Sequence, residues 1–99
     1  MEKRTPHTRL STIKEIIRNG QVCITNTALI SASQLGFCSK QEIIDVVIAL
    51  SANDFYKSMT AYHDHTCWHE VYRPHYRGQS IYLKLIVSGS LLIVSFKEL

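Results

Sequence analysis

Three histidines and a cysteine occur at every second position in the stretch HDHTCWH, residues 63–69. In a β-strand the side chains alternate between faces, so His63, His65, Cys67 and His69 would share one face. Imidazole and thiolate groups are zinc ligands, and an imidazole also donates or accepts protons near neutral pH. The spacing is therefore compatible with a metal site, with an acid–base group, or with chance.

Strand geometry argues against the metal site. At about 3.3 Å per residue the outer two of these four side chains lie about 20 Å apart, so at most two neighbours can share an ion. Asp64-His65 also has the character of a turn, which would break the alternation. A nucleophilic Cys67 has no activating motif beside it. We therefore predict no metal and no cofactor, whereas an acid–base role needs only one well-placed histidine.

The composition indicates one globular domain, spanning residues 1–99. The chain is 45% apolar and 19% charged, which is unlike a disordered segment. No apolar run approaches the roughly 20 residues that span a membrane, and the polar start has no signal-peptide core. We therefore expect a cytoplasmic protein without a membrane partner.

The cysteine pattern and the net charge limit which cross-links, metal sites and partners the sequence indicates. Cys23, Cys38 and Cys67 are odd in number and contain no CxxC pair, so neither a disulfide framework nor a zinc knuckle is indicated. The net charge of +3 permits an anionic partner such as RNA without requiring one.

The first half of the chain predicts three helices. The first runs from about Pro6 to Asn19 after a Thr5 cap. The segment QVCI links it to the second helix, which Asn26 could cap. The third helix begins at the capping-box sequence Ser39-Lys40-Gln41-Glu42.

The second half predicts an antiparallel sheet, which makes the fold α+β with the helices first. Its clearest part is IYLKLIVSGSLLIVSFKEL, residues 81–99, where Gly-Ser suits a two-residue type II′ turn. That turn predicts two sets of cross-strand pairs. One face pairs Leu83 with Phe96, Leu85 with Val94 and Val87 with Leu92; the other pairs Tyr82 with Lys97, Lys84 with Ser95 and Ile86 with Ile93.

The polar end of the second face has two interpretations. A phenol, Tyr82, lies opposite an ammonium, Lys97, and a second ammonium, Lys84, lies two residues along. Lysines are common on solvated sheet faces, so the group need not be a site. However, mixtures of aromatic and cationic residues also bind single-stranded RNA, with cations on phosphates and rings on bases. The mixture here comprises Tyr56-Lys57, Tyr62, Tyr72-Arg73, Tyr76-Arg77, Tyr82, Lys84 and Lys97.

Five segments of the chain carry a resemblance to a known family. They are MEKRTPHTRLS at the start, NDFYKSMT at 53–60, DHTCWHEVYRP at 64–74, IYLKL at 81–85 and LIVSFKE at 92–98. Together they resemble the MqsR (motility quorum-sensing regulator) toxins. The resemblance spans nearly the whole chain and weakens in the helices at 12–50. It implies an mRNA interferase of a type II toxin–antitoxin system, with N-terminal helices on a twisted antiparallel sheet as in RelE-like ribonucleases.

The resemblance also implies substrates and partners. The family cuts RNA near GC-containing sites, usually GCU and GCA, without the ribosome, and thereby inhibits translation and growth. A cognate MqsA-like antitoxin neutralises the toxin, carries the zinc of that system and links the pair to DNA. We therefore expect mRNA and an antitoxin as partners, and DNA only through the antitoxin complex.

The site residues that the resemblance implies are Lys57, Tyr82 and Lys97. His69 falls where the family can carry a glutamine, and only a histidine could transfer a proton there. Its role as a proton donor or as a hydrogen-bonding group stays open. Arg73 is a candidate phosphate clamp, and Lys84 is a second candidate for binding RNA.

These residue types suit metal-free RNA cleavage by the ribose 2′-hydroxyl, which needs a base, an acid and cations for the phosphorane charge. The rival hypothesis is a non-catalytic module that binds RNA or the antitoxin and acts as a co-repressor.

Overall fold

The computed structural model describes residues 1–99 and contains three α-helices and seven β-strands. In chain order the elements are β1 Glu2–Lys3, α1 Leu10–Arg18, β2 Val22–Ile24, α2 Asn26–Gln34, α3 Lys40–Ile48, a 3-10 turn Ala52–Asp54, β3 Phe55–Ala61, β4 Asp64–Tyr72, β5 His75–Tyr76, β6 Gln79–Ser88 and β7 Ser90–Glu98. The α+β prediction is confirmed, and none of the helices is long and apolar enough to cross a membrane.

The sheet is mixed, so the prediction of a wholly antiparallel sheet is wrong. Its strand order is β1-β3-β4-β6-β7-β2, with β5 paired to β6. β2 runs parallel to β7 and pairs Val22 with Leu91, and the backbone N–H of Leu91 donates to Gln21 O at 2.8 Å. The segment QVCI, predicted as a link, therefore contains this strand. Three residues are too few to show an alternating pattern, and the partner strand lies far along the chain.

The helices pack on one face of the sheet and enclose the core. Leu83, Leu85 and Phe96 point towards the helices, as predicted, and are almost fully buried. The buried cluster comprises Ile13, Ile17, Ala28, Ala32, Phe37, Ile43, Val46, Val47, Leu50, Tyr72, Ile81, Leu83, Leu85, Leu91, Ile93 and Phe96. Because side chains alternate along a strand, the opposite face of β6 and β7 is left open.

The β6–β7 register is the predicted one only at the end far from the turn. Tyr82 pairs with Lys97, Leu83 with Phe96 and Lys84 with Ser95, which confirms that half. A bulge then shifts the register, so Leu85 pairs with Ile93 rather than with Val94, Ile86 with Leu92, and Val87 with Leu91. The predicted two-residue turn is also wrong, since Ser88 pairs with Ser90 around Gly89, whose φ is 72°. The extra residue in the bulge compensates for the shorter turn.

Two of the helices begin close to where the sequence places them. Thr25, rather than Asn26, caps α2 by accepting a hydrogen bond from Ala28 N at 3.2 Å. Ser39 caps α3 by accepting from Glu42 N at 3.2 Å.

The predicted start of the first helix at Pro6 is wrong, because α1 begins at Leu10. The preceding residues are held outside the helix by two sets of bonds. β1 pairs with β3, and His7 N donates to Ser58 Oγ and to Glu70 Oε1, each at 3.0 Å. Tertiary hydrogen bonds thus outweigh the local preference of Thr5-Pro6 for a helix start.

Glu70 is the buried anchor of this N-terminal segment. Its carboxylate is on the helix-facing side of β4, the residue is 1% exposed, and Ser58 Oγ also donates to it at 2.8 Å. Beside it, the His7 ring stacks on Trp68 at 4.7 Å, and Lys3 Nζ lies 4.5 Å from the Trp68 ring centre. The first residues of the chain are therefore fixed against β3 and β4.

We predict that Glu70→Ala lowers the free energy of unfolding by about 3 kcal/mol, because it removes the acceptor shared by Ser58 and His7 and leaves a buried cavity. Urea unfolding measures the change. Glu98→Ala is the control, since Glu98 is exposed at the end of β7, and it should change stability by no more than about 0.5 kcal/mol. Equal effects of the two substitutions would contradict an anchoring role for Glu70.

Candidate active site

The open face of the sheet gathers five of the six residues predicted for the site. Directly paired residues point to the same side of a sheet, as do residues two apart along a strand. Lys57 pairs with Val71, Val71 with Lys84, and Tyr82 with Lys97. His69 lies two residues before Val71 on β4. Lys57, His69, Tyr82, Lys84 and Lys97 therefore share the face that the helices leave uncovered.

Tyr82 lies between two ammonium groups at the centre of this face. Lys97 Nζ is 5.3 Å from the Tyr82 ring centre and Lys84 Nζ is 5.9 Å from it. Burial lowers the pKa of Lys84 first, and repulsion from Lys97 and Lys57 lowers it further. The cations therefore interact electrostatically, and together they form a positive surface around a phenol.

His69 is partly buried beside these cations. Burial is the main cause that lowers the pKa of its imidazole below 6.5, and the positive charge of Lys84 adds to the effect, against a smaller opposing contribution from Glu70. The Nδ1 atom is buried without a hydrogen-bond partner. A neutral imidazole can accept a proton or a hydrogen bond at its unprotonated nitrogen.

Arg73 reaches the same region through Tyr56. A bulge in β3 between Phe55 and Lys57 makes Tyr56 the extra residue. The guanidinium carbons of Arg73 and Arg4 lie 4.4 and 4.9 Å from the Tyr56 ring centre, and Lys57 Nζ lies 5.4 Å from it. The Arg4 guanidinium beside the phenol is the main cause that lowers the pKa of Tyr56, with Lys57 and Arg73 contributing.

This Tyr56 group is suited to binding an anion. Tyr56 and Arg73 line a shallow cleft of about 310 Å³ together with Asn53, Asp54 and Phe55. Three cations around one partly buried aromatic ring offer both charge for a phosphate and a face for a base. Arg73 is therefore placed where its predicted role as a phosphate clamp is possible, at the end of the open face next to Lys57.

Sequence reasoning missed two residues of this region, Glu2 and Arg4, because both lie in the segment treated only as a polar start. The Glu2 carboxylate forms an ion pair with Lys57 at 2.5 Å. The hydrogen bond and charge of Glu2 raise the pKa of Lys57 despite the opposing effect of burial. No local pattern in the sequence indicates these contacts, since β1 has only two residues.

The HDHTCWH stretch does not form one ladder of side chains. The turn lies at Tyr62–His63 rather than at Asp64-His65, and β4 begins at Asp64. The pairing with β3 passes from Asp64, opposite Ala61, directly to Trp68, opposite Thr60. His65, Thr66 and Cys67 therefore have no partner on β3 and form a bulge in β4. No three His, Cys, Asp or Glu side chains are grouped to hold a metal ion. Of this stretch only His69 pairs with both neighbouring strands, with Met59 on β3 and Ile86 on β6.

Comparison with known proteins gives two matches. The family model described as "Motility quorum-sensing regulator, toxin of MqsA" matches residues 5–98. A curated relative from Escherichia coli K12, named "mRNA interferase toxin MqsR", is 53% identical over 98 residues, which cover 99% of each chain. The similarity thus includes both the helical half and the open face.

We predict that the stability of the fold falls as the pH drops below about 6.5, partly through His69. Its pKa is lower in the folded state than the usual 6.5, so the unfolded state binds more protons in this range and the free energy of unfolding decreases. The contribution is complete above 6.5 and is lost as the pH falls through the folded-state pKa. His69→Gln should reduce this pH dependence, measured by urea unfolding between pH 8 and pH 5.

An NMR titration of His69 tests directly whether burial and the Lys84 charge lower its pKa. In the wild-type protein His69 should titrate below 6.5, and Lys84→Met should raise its pKa only in part, because burial is the larger cause. A His69 pKa at or above 6.5 in the wild-type protein would contradict the prediction.

Proposed function

Because the chain belongs to the family of MqsR toxins, we propose that it is an mRNA interferase, a metal-independent endoribonuclease acting on messenger RNA. The observation that carries the proposal is the Tyr82 phenol between the Lys84 and Lys97 ammonium groups, on an open sheet face that also presents His69 and Lys57. This face offers cations for a phosphate together with two groups able to exchange protons.

The proposed reaction is attack of a ribose 2′-hydroxyl on the adjacent phosphate. A base takes the 2′-hydroxyl proton, the 2′-oxygen bonds to phosphorus, and the bond from phosphorus to the 5′-oxygen breaks as an acid protonates that oxygen. The products are a 2′,3′-cyclic phosphate and a free 5′-hydroxyl. Atoms and charge balance with no metal or other co-reactant.

We assign the proton transfers to His69 and Tyr82 and the phosphate charge to Lys57, Lys97 and Arg73. The lowered pKa of His69 favours the neutral ring, which supports accepting the 2′-hydroxyl proton, although hydrogen bonding alone is an alternative role. The ammonium groups stabilise the additional negative charge of the phosphorane, and they do so best when solvent is displaced by RNA. Lys84 adds to RNA binding beside Tyr82.

We infer the domain, fold type, compartment, cleavage sites and partner from the resemblance to MqsR toxins. We propose one domain, residues 1–99, with a RelE-like ribonuclease fold, acting in the cytoplasm on GC-containing sites such as GCU and GCA. Cleavage would stop translation and growth until a cognate MqsA-like antitoxin neutralises the toxin. Any contact with DNA would be made by the antitoxin complex. The matched family's description as the toxin of MqsA supports the choice of partner.

We predict that the purified protein, in excess EDTA, cuts a synthetic RNA containing GCU and GCA at those sites and leaves cyclic-phosphate ends. His69→Ala and Tyr82→Phe should each reduce the rate about 100-fold or more if these groups transfer protons. Lys97→Ala should reduce it by a similar factor through lost charge stabilisation. Single-turnover assays with mapping of product ends provide the measurement.

Lys40→Ala is the matched control, because it removes an exposed cation at the start of α3 and should leave the rate unchanged. Cleavage that requires added zinc would restore the metal interpretation of HDHTCWH. Absence of cleavage both in EDTA and with zinc would favour the non-catalytic co-repressor. Full activity of Tyr82→Phe would remove Tyr82 from proton transfer.

A prediction in cells separates a toxin from a binding module. Expression without antitoxin should arrest growth and deplete transcripts that contain the target sites, whereas expression of Lys97→Ala should not. Co-expression of an MqsA-like antitoxin should restore growth with the wild-type protein. Growth and transcript levels are followed after induction, and arrest by Lys97→Ala at equal protein level would contradict a catalytic cause.

A further inference from the structure

The N-terminal strand β1 is held in a fixed register at the edge of the sheet. Glu2 pairs with Met59 and Lys3 with Ser58, and Thr60 N donates to Met1 O at 2.9 Å. Further along, His7 N is bonded to the buried Glu70. Because the segment is fixed at both ends, the direction of each side chain on β1 is determined by the sheet.

This register directs the Glu2 carboxylate onto the open face. Glu2 pairs directly with Met59, so it points to the same side as Met59 and as Lys57, two residues away on β3. Lys3 points to the other side, over Trp68. The carboxylate therefore meets the Lys57 ammonium across the two strands, at 2.5 Å.

The two partners of the Glu2–Lys57 ion pair differ in their exposure to solvent. The Lys57 side chain is 18% exposed, whereas the Glu2 side chain is 53% exposed. Lys57 also lies over the Tyr56 ring at 5.4 Å. The lysine is the enclosed partner, and Glu2 covers it from the solvent side at the edge of the sheet.

We propose that Glu2 is a positioning residue for RNA cleavage, holding the Lys57 ammonium in place on the open face while leaving part of it free for the substrate phosphate. The role depends on the function proposed above. Glu2 contacts Lys57 and does not itself need to touch the RNA.

Two physical effects support the proposal that Glu2 positions the Lys57 ammonium. A lysine side chain has large rotamer freedom, which an ion pair at a fixed backbone position restricts. Lys57 also shares its face with Lys84 and Lys97, and repulsion between these cations favours Lys57 conformations directed away from them. Glu2 offsets that repulsion.

The Lys57 ammonium can bind the Glu2 carboxylate and a substrate phosphate at the same time. It has three N–H donors, so a bond to Glu2 leaves donors for a phosphate oxygen. The alternative is competition, in which the carboxylate merely repels the RNA and occupies the position of the phosphate. The two roles predict opposite effects of removing the charge.

The decisive variant is Glu2→Gln, which keeps the side-chain length and removes the charge. We expect kcat to fall about tenfold with little change in KM, because a misplaced charge affects the transition state more than RNA binding. Glu2→Asp should recover part of the loss. Glu15→Gln is the matched control, since it removes a carboxylate from an exposed ion pair with Arg18 on α1 at 2.8 Å and should leave both constants unchanged.

An NMR titration of the lysine side chains gives a readout that does not depend on activity. The pKa of Lys57 should be lower in Glu2→Gln than in the wild-type protein, because Glu2 is the main cause of its raised value. It should be unchanged in Glu15→Gln. Mass spectrometry verifies that each purified protein begins at Met1.

The possible results distinguish failure of the proposed Glu2 role from failure of the proposed ribonuclease activity. Unchanged kcat in Glu2→Gln, or an unchanged Lys57 pKa, would overturn positioning while leaving the proposed ribonuclease intact. A higher kcat/KM in Glu2→Gln would overturn it in favour of competition with RNA. No cleavage by the wild-type protein would overturn the proposed function and the role of Glu2 with it.

Discussion

Burial of one face of β6 and β7 against the helices is the constraint on which the rest of the structure depends. Leu83, Leu85 and Phe96 are almost fully buried on that face. A slip of one residue would exchange the two faces of a strand and expose these side chains, so hydrophobic burial specifies the register strongly. The same register places Tyr82, Lys84 and Lys97 on the other face, which the helices leave uncovered.

The open face brings three ammonium groups close together, which costs electrostatic energy. Lys57, Lys84 and Lys97 are close enough for their charges to lower the pKa of Lys84. Like charges on neighbouring strands are destabilising. Tyrosine rings and one carboxylate are the groups that moderate the repulsion, since cations lie over the rings of Tyr56 and Tyr82 and Glu2 pairs with Lys57. Such a face resembles an anion-binding surface more closely than an ordinary solvated one.

Two of the three irregularities in the sheet lie near the candidate site. The bulge in β7 absorbs the register change before it reaches Tyr82 and Lys97. The bulge in β3 adds Tyr56, and with it Arg4 and Arg73, next to Lys57. Regular strands would have produced neither arrangement, because an unbroken alternation turns successive side chains to opposite faces.

Local pattern alone determined the α+β class and two of the helix starts, since these depend on alternation and capping within short segments. The predicted pairing of Tyr82 with Lys97 holds only because the bulge in β7 compensates for the shorter turn at Gly89. Resemblance to a known family directed attention to Lys57 and His69. Only the tertiary structure decided the parallel β2–β7 pair, the extended N-terminal segment and the contacts of Glu2 and Arg4 with the site. Each of these joins residues far apart in the chain through backbone hydrogen bonds or charge, and such pairings leave no periodic trace in the sequence.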